Sequence, residues 1–276
     1  MGIVNLISGG IFDVLLYPFR GLSPWFGMVF VSLITAFLML WVFKLTSDQE
    51  GIRKAKNAIK AHLLELRLFK DNMRISLQAQ GRVLRANLRY IACNSKPMLV
   101  MVVPLFLILA QLNLWFGAAP LKPGEETLVK LGLARGADPL ALDVALEPSP
   151  GLSVESPAVR IPDGQEIAWR IRATGQGPAS LVFRVAGRTL TKPLAVAGPR
   201  RLSKVSTLTV GRSLLKQLLY PGERALPGDT PVTSIEVLYP GRSLRFFGLS
   251  VHWLVAYFVL SIVFGFAFKG VFNVEI

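Results

Sequence analysis

Three long apolar runs constrain this chain more than any other feature of its sequence. They cover residues 25–43, 98–117 and 249–269. At about 1.5 Å of rise per helical residue, each run can cross a hydrocarbon core roughly 30 Å thick. Trp25, Trp41 and Trp253 lie near the ends of these runs, where aromatic side chains favour the membrane–water interface. The pattern predicts three transmembrane helices, the second one kinked at Pro104.

Residues 44–97, between the first two runs, are strongly basic. They carry twelve Lys and Arg residues against four Asp and Glu residues. Apolar residues recur there at helical spacings of three, four and seven, at Ile52, Ala55, Ile59, Leu63, Leu66, Leu77, Leu84, Leu88 and Ile91. We therefore predict a helical hairpin that begins with a capping box from Ser47 to Glu50 and breaks at Asp71–Asn72.

Residues 118–248 have a different composition, with Pro and Gly every few residues between short strand-like runs. This spacing is typical of a β-sandwich, Ig-like in general form, with Trp169 in its core. The strand-like runs are 127–133, 140–146, 166–173, 180–185, 188–196, 204–210 and 234–239. The predicted fold class is an α+β membrane protein in which three transmembrane helices carry a helical hairpin and this sandwich.

The two ends of the chain are short. Residues 1–24 have an apolar helical face that Gly9, Gly10 and the Pro18–Pro24 region should limit in length. We interpret them as an interfacial amphipathic segment. The alternative is a poorly ordered tail. Residues 270–276 are expected to form a short tail after the third span.

The basic surplus of the 44–97 loop predicts the orientation, because short cytoplasmic loops are enriched in Lys and Arg. The hairpin and the C-terminus are then cytoplasmic, and the N-terminus and the β domain are extracytoplasmic. The predicted location is the inner (plasma) membrane.

Little in the sequence favours catalysis. Cys93 is the single cysteine, His62 and His252 are the two histidines, and we find no catalytic signature in a usable context. We predict no enzyme activity, no metal site and no cofactor. The net charge of +14 fits either anionic lipid or nucleic acid as a partner, and in a membrane protein we favour anionic lipid. If the partner is a nucleic acid, ribosomal RNA is the form we expect.

The order of these segments resembles the YidC/Oxa/Get membrane-protein insertase superfamily, in the three-helix branch that includes the third subunit of the ER membrane protein complex. The resemblance is carried by residues 25–117, with the stretch from KAHLLELRLFK to LNLWFG similar in style to that family's hairpin and second core helix. It implies a groove open to the cytoplasm and lipid that receives helices of client membrane proteins. No arginine lies inside a predicted span, and the β domain before the third span departs from the family.

The candidate groove residues are polar or basic and lie in the cytoplasmic halves of the spans: Thr35, Lys44, Asn94, Ser95, Lys96 and Lys269. Alternatively, the three lysines anchor the interface, and Thr35 bonds its own helix backbone. A second set, Arg74, Arg82, Arg85 and Arg89, recurs on one face of the hairpin and could contact the ribosome, acidic clients or anionic lipid. Its alternative is a solvated helix face.

Three functions fit this organisation. The first is an insertase or membrane chaperone whose partners are the bilayer, client proteins and an extracytoplasmic protein docked on the β domain. The second is a non-catalytic structural or anchoring subunit of an envelope complex. The third is an ion channel, which the lack of a polar stripe along any span disfavours.

Overall fold

The chain folds into two compact units. The computed structural model describes residues 2–69, 72–197, 202–211, 213–246 and 249–275. One unit, called here the helical unit, comprises Val29–Phe106 with Tyr257–Ile276; the other, called the β unit, comprises Met1–Met28 with Leu107–Ala256. The fold class is α+β, with long apolar helices and antiparallel sheets.

Four helices contribute to the helical unit: α2 (Pro24–Thr46), α3 (Gln49–Leu68), α4 (Met73–Leu112) and α6 (Trp253–Phe268). Helix α2 has 23 residues, and α4 has 40 and continues through a π-helical turn at Asn113–Gly117. These two are long and apolar enough to cross a membrane. The coarse prediction of membrane-spanning helices is therefore supported for the first two runs.

The third apolar run differs from its prediction. Its first four residues, Leu249–His252, form strand β11, and helix α6 begins only at Trp253. Helix α6 has 16 residues, about 24 Å at helical rise, which is shorter than a typical span. Residues 249–252 form a strand because they pair with β10 (Ser243–Phe246). Apolar content alone does not reveal such a pairing, so the pattern could not separate strand from helix.

The second run is not a separate helix, since α4 continues through the predicted boundary at residues 97 and 98. Both Pro97 and Pro104 lie inside it. Just before Pro97, the Asn94 side chain donates to the Tyr90 carbonyl (2.7 Å), and Ser95 Oγ donates to the Ile91 carbonyl (2.8 Å). Such bonds to carbonyls four residues back are typical of bent helices.

The hairpin forms as predicted, but its cap differs. Asp48 rather than Ser47 is the N-cap of α3, and its Oδ1 accepts the Gly51 N–H at 2.9 Å. The predicted break is confirmed at Asn72, where the Asn72 side chain accepts the Ile75 N–H at 3.3 Å. Its other residue, Asp71, lies outside the described residues.

The apolar residues that recur along α4 are not the ones buried in the structure. Leu77, Leu84, Leu88 and Ile91 are all exposed, whereas Ala79 and Ala86 are buried. On α3 the buried residues are Gly51, Ile52 and Ala55. The two helices approach each other at Gly51 and Cys93, and the leucines lie on another face of α4.

The β unit contains two antiparallel sheets and a short hairpin. The first sheet has the order β3-β5-β1-β9-β8, with β4 also paired to β5; the second has the order β2-β6-β7; β10 and β11 pair with each other. The strands are β1 (Glu126–Leu133), β2 (Val144–Pro148), β3 (Leu152–Val154), β4 (Val159–Ile161), β5 (Glu166–Ala173), β6 (Gly177–Val185), β7 (Arg188–Val196), β8 (Leu208–Val210), β9 (Val232–Val237), β10 and β11.

The predicted strands at 166–173 and 188–196 are confirmed, and the others shift by a few residues. The strand predicted at 140–146 lies at Val144–Pro148, and the one predicted at 204–210 is only Leu208–Val210. Strands β3 and β4 and the short helix α5 (Leu214–Leu219) were not predicted.

One apolar core joins the two large sheets. Alternate residues of β1, β5 and β9 and of β6 and β7 belong to the same buried cluster. Trp169 of β5 is 4% exposed and meets the Phe183 ring of β6 edge to face, at 5.7 Å between centroids. The prediction of Trp169 as a core residue is confirmed. The Ig-like topology stays a prediction.

Helix α1 (Gly2–Leu16) also belongs to the β unit. It continues through Gly9 and Gly10, contrary to the prediction for these glycines, and ends at Leu16, before the predicted limit at Pro18–Pro24. Phe12 and Leu16 are buried, and Gly27 of α2 approaches Leu16 so closely that an added Cβ would lie 3.2 Å from Leu16 Cδ2.

Candidate functional site

A cluster of hydroxyl groups lies inside the helical unit. Thr35 on α2 is 3% exposed, and the hydroxyl of the fully buried Tyr257 lies beside the hydroxyls of Thr35 and Ser261 on α6. Ser32, one helical turn before Thr35, is also fully buried. Thr35 therefore lies in a buried polar cluster between two apolar helices. In the described part of the chain, however, Tyr257 Oη, Ser261 Oγ and Ser32 Oγ have no hydrogen-bond partner. Sequence reasoning missed Tyr257 and Ser261 because the contact joins residues more than 200 positions apart.

The described cavities of this unit lie at its polar end. One of them, of about 620 Å³, is called here the tail cavity because the C-terminal segment forms one wall. It is lined by Gln49, Glu50, Arg53, Lys56, Lys269, Gly270, Asn273, Val274 and Glu275. A smaller cavity of about 370 Å³ shares Arg53, Lys56 and Glu275 with it and adds Lys60. Cations therefore line this end of the unit along α3.

A second site, called here the cap cavity, lies where α2 leads into α3. It measures about 510 Å³ and is lined by Thr46, Ser47, Asp48, Arg89, Ala92, Cys93 and Lys96. Arg89 and Lys96 give it a positive charge, and Asp48 is the N-cap of α3 described above. Cys93 is a free, half-buried cysteine that lies against Gly51, where α3 and α4 approach each other.

The predicted groove residues do not converge on one cavity. Lys96 lines the cap cavity, Lys269 lines the tail cavity, and exposed Lys44 lines neither. Asn94 and Ser95 bond the backbone of their own helix, and Thr35 is enclosed in the hydroxyl cluster. Lys269 also stacks its ammonium over the Phe266 ring at 5.3 Å, as an interface anchor does.

The predicted basic face lies on α4 as expected, with Arg74, Arg82, Arg85 and Arg89 all exposed. Arg82 forms an ion pair with Glu65 of α3 at 3.1 Å. Glu65 also contacts His62 at 3.2 Å, so part of this face joins the two helices of the hairpin. Arg89 lines the cap cavity.

Beside the arginines, helix α4 of the hairpin exposes a large apolar surface. We call it the leucine stripe, and it consists of Leu77, Leu84, Leu88 and Ile91, each 58–63% exposed. At the tip of the hairpin Leu68 is 75% and Met73 is 77% exposed. Exposed apolar surface flanked by polar residues marks an interaction site.

The β unit holds a buried ion pair outside these sites. Lys192 on β7 is fully buried, and its Nζ donates to Glu223 Oε1 at 2.7 Å, to Thr209 Oγ1 at 2.9 Å and to the Ser206 carbonyl at 2.9 Å. Burial lowers the pKa of Lys192, opposed by the charge of Glu223. The ammonium holds the loop that carries Glu223 against β7 and β8. Its environment is saturated with protein groups, so we assign it a structural role.

Tyr239 joins the two large sheets near this ion pair. Its hydroxyl accepts the Ala195 N–H of β7 at 3.1 Å, although Tyr239 itself follows β9 of the other sheet. Burial raises the pKa of Tyr239 to about 12. The phenol therefore stays protonated at any physiological pH and acts as a structural contact.

Helix α1 presents one apolar face away from its unit. Its exposed residues follow helical spacing and include Ile3, Leu6, Ile7, Ile11 and Val14, each more than half exposed. Three polar contacts hold its other face: Asn5 donates to the Gln217 carbonyl (2.9 Å), Gln111 to Ser8 Oγ (2.9 Å), and Lys204 pairs with Asp13 (3.5 Å). This pattern is typical of an interfacial helix.

Within the residues that the structure describes, no three His, Cys, Asp or Glu side chains come together in an arrangement that could hold a metal ion.

Comparison with known proteins adds little. No protein-family model matches the chain, and no curated protein matches it. One solved structure, the S-layer protein SbsC domains 4 and 5, aligns over 30% of this chain and 48% of that chain, at 11% identity and a TM-score of 0.24. This chain thus spans about half the length of that structure, and a likeness this low carries no argument.

Proposed function

We propose that this protein is a membrane-protein insertase or membrane chaperone of the YidC/Oxa/Get type, with no cofactor and no covalent chemistry. In this proposal α2, the second half of α4 and α6 cross the inner membrane. The hairpin and the C-terminus lie in the cytoplasm, and the N-terminus and the Ig-like β unit lie outside. The orientation rests on the basic surplus of residues 44–97.

The observation that carries this proposal is the leucine stripe on α4. It lies on the same continuous helix as the apolar segment that is long enough to cross a membrane. The exposed leucines and arginines together match a client segment that is apolar along its length and acidic at its ends. Burying one exposed leucine against a client contributes about 1 kcal/mol or more. The stripe then delivers the client toward the membrane along one helix.

A mechanism in which basic residues lie in a groove partway along the spans does not match the positions of the candidate groove residues. Thr35 is enclosed, and the basic candidates lie on the tail cavity and the cap cavity rather than partway along the spans. We therefore place client recognition on the arm and at the cap cavity, where Arg89 and Lys96 meet the end of the stripe. A charged group at the bilayer centre costs about 2.5–3.5 kcal/mol on insertion scales, so cations at the entrance help clients with acidic ends to approach.

An insertion assay tests this proposal. In a strain that lacks other insertases, we expect depletion of the protein to block insertion of short-tailed membrane proteins. The double variant Leu84→Gln/Leu88→Gln should lower insertion roughly tenfold, because it removes two apolar contacts with the client. The matched control Leu128→Gln/Leu140→Gln changes two exposed leucines of the β unit and should insert clients normally. Unchanged insertion after depletion would contradict the proposal.

A second candidate is a structural or anchoring subunit of an envelope complex. The enclosed hydroxyl cluster around Thr35 favours it, because a sealed contact between α2 and α6 anchors a domain without admitting a client. This candidate expects normal insertion after depletion together with copurification of the full chain in fixed stoichiometry with a large assembly. Normal insertion without such an assembly would contradict both candidates.

A further inference from the structure

The C-terminal segment folds back to build the tail cavity. Val274 is 7% exposed and packs with Leu40, Phe43 and Ile52 in one apolar cluster. The Glu275 N–H donates to the Gln49 side chain at 2.7 Å, and the Glu275 carboxylate pairs with Lys56 at 3.2 Å. Asn273 has a φ of +51°, which reverses the chain at this point. The cavity therefore has two fixed walls, the first turns of α3 and the returning segment.

The lining of this cavity is positive. Its carboxylates are already engaged, because Glu275 pairs with Lys56 and Glu50 pairs with Lys54 at 2.7 Å. The bond to Lys54, which does not line the cavity, lowers the pKa of Glu50. Among the described residues, no carboxylate lies within ion-pair distance of the lining residues Arg53 and Lys269. Arg53 and Lys269 thus line the cavity outside any described ion pair, although the charge of Arg53 contributes to the lowered pKa of Glu50 in the same lining.

The position of Lys269 indicates which anion fits. Lys269 directly follows α6, whose residues are almost all apolar, and its ammonium lies over the Phe266 ring. In the proposed membrane orientation, this places the cavity at the depth of the cytoplasmic headgroups. A phospholipid there offers a phosphate oxygen to Arg53 and Lys269 while its acyl chains stay beside the apolar helix. Arginine suits this role because its planar fork matches the geometry of phosphate.

We propose that the tail cavity binds the phosphate group of an anionic phospholipid through Arg53 and Lys269. This inference rests on the membrane placement in the proposed function but not on client insertion. It assigns a role to the C-terminal segment, which forms one wall of the site. It also places a specific lipid site on the opposite end of α3 from the hairpin tip.

Titration of the purified full chain with a short-chain phosphatidylglycerol, followed by native mass spectrometry, tests the site. The double variant Arg53→Gln/Lys269→Gln should bind this lipid at least tenfold more weakly, since each basic group near anionic lipid strengthens the attraction by about 1 kcal/mol. The control Arg67→Gln/Lys122→Gln removes the same charge from exposed positions that do not line the tail cavity and should bind normally. The charge-preserving Arg53→Lys/Lys269→Arg should retain at least part of the binding.

Two further arms distinguish the source of the phosphate. Phosphatidylcholine should bind more weakly than phosphatidylglycerol, and inorganic phosphate should compete only at much higher concentration. Equal loss in the control variant would overturn the proposal, because the lipid would then be held by diffuse charge. If the chain binds inorganic phosphate but does not bind phosphatidylglycerol, the proposal is overturned as well. Insertion activity is measured separately. If the unaltered chain inserts clients but does not bind phosphatidylglycerol, this site fails and the insertase proposal stands. If it binds phosphatidylglycerol but does not insert clients, the insertase proposal fails and this site stands.

Discussion

Lys192 shows how one side chain can hold a loop against the antiparallel sheets of the β unit. Its ammonium is fully buried and has four protein partners, including the carboxylate of Glu223, which is 11% exposed. Removing both charges from water opposes folding, and the bonds offset this cost only while both partners are present. The net contribution of the pair to stability is therefore small, whereas removing one partner leaves the other charge buried and unpaired, which is costly.

We expect Lys192→Met to lower the free energy of unfolding of the β unit by about 3 kcal/mol, because Glu223 would keep a nearly buried charge without its partner. The double variant Lys192→Met/Glu223→Leu should recover most of this loss. Hydrogen–deuterium exchange of β7 and β8 in the solubilised full chain measures both effects. Lys122→Met, at an exposed lysine, is the control. Equal exchange in Lys192→Met and the unaltered chain would contradict the predicted cost of leaving the Glu223 charge unpaired.

At the scale of elements, the helical hairpin depends on where its helices begin and which faces meet. Gly51 is buried at the start of α3, and an added Cβ there would collide with the Asp48 carboxylate and lie 3.2 Å from Cys93 Sγ. The cap and the close approach of α3 to α4 therefore need the same small residue. The leucines of α4 lie outside this contact and are free to bind another chain.

Replacing the cap tests this assignment. We expect Asp48→Ala to destabilise the start of α3 by about 1 kcal/mol, because the Gly51 N–H loses its acceptor and the helix N-terminus loses a nearby negative charge. Asp48→Asn should keep most of the stability, since asparagine also caps well. Amide exchange in the first turn of α3 is the measurement. A larger effect from Ser47→Ala than from Asp48→Ala would support the capping box that the sequence indicated.

At the scale of the whole molecule, two helices are apolar and long enough to cross a membrane, and α6 is shorter. A helix of 16 residues can cross where flanking lysines reach the interface or where the bilayer is thinned. Lys269 lies at the end of α6 in the position for such an anchor. The chain order then puts the hairpin and the β unit on opposite sides in the proposed topology.

Cysteine labelling tests this topology. In a Cys93→Ser background, Arg85→Cys on the hairpin should react with a membrane-impermeant maleimide only after the membrane is opened. Asp163→Cys, at an exposed position of the β unit, should react in intact cells or spheroplasts. The physical reason is the positive-inside preference of the basic 44–97 segment. Labelling of Arg85→Cys in intact spheroplasts would reverse the orientation and remove the basis for a cytoplasmic client arm.

Local pattern predicted much of the fold. The apolar runs indicated the long helices, and alternation located β5 and β7 because strands with one buried face repeat every two residues. Trp169 was predicted as a core residue from its place in such a run. The basic character of the hairpin follows from composition alone, and the arginines of α4 are exposed as their spacing indicated.

What the sequence by itself determined is therefore the long helices, most of the longer strands, their order and the two compositional zones of the chain. Tertiary structure decided which side chains meet. It turned the leucine stripe of α4 outward, placed Thr35 beside Tyr257, folded Val274 into an apolar cluster and paired Lys192 with Glu223. Periodicity marks the faces of a helix or strand, but a face becomes buried only when a distant partner of the right size and polarity lies against it, and such partners are separated by up to hundreds of residues in this chain.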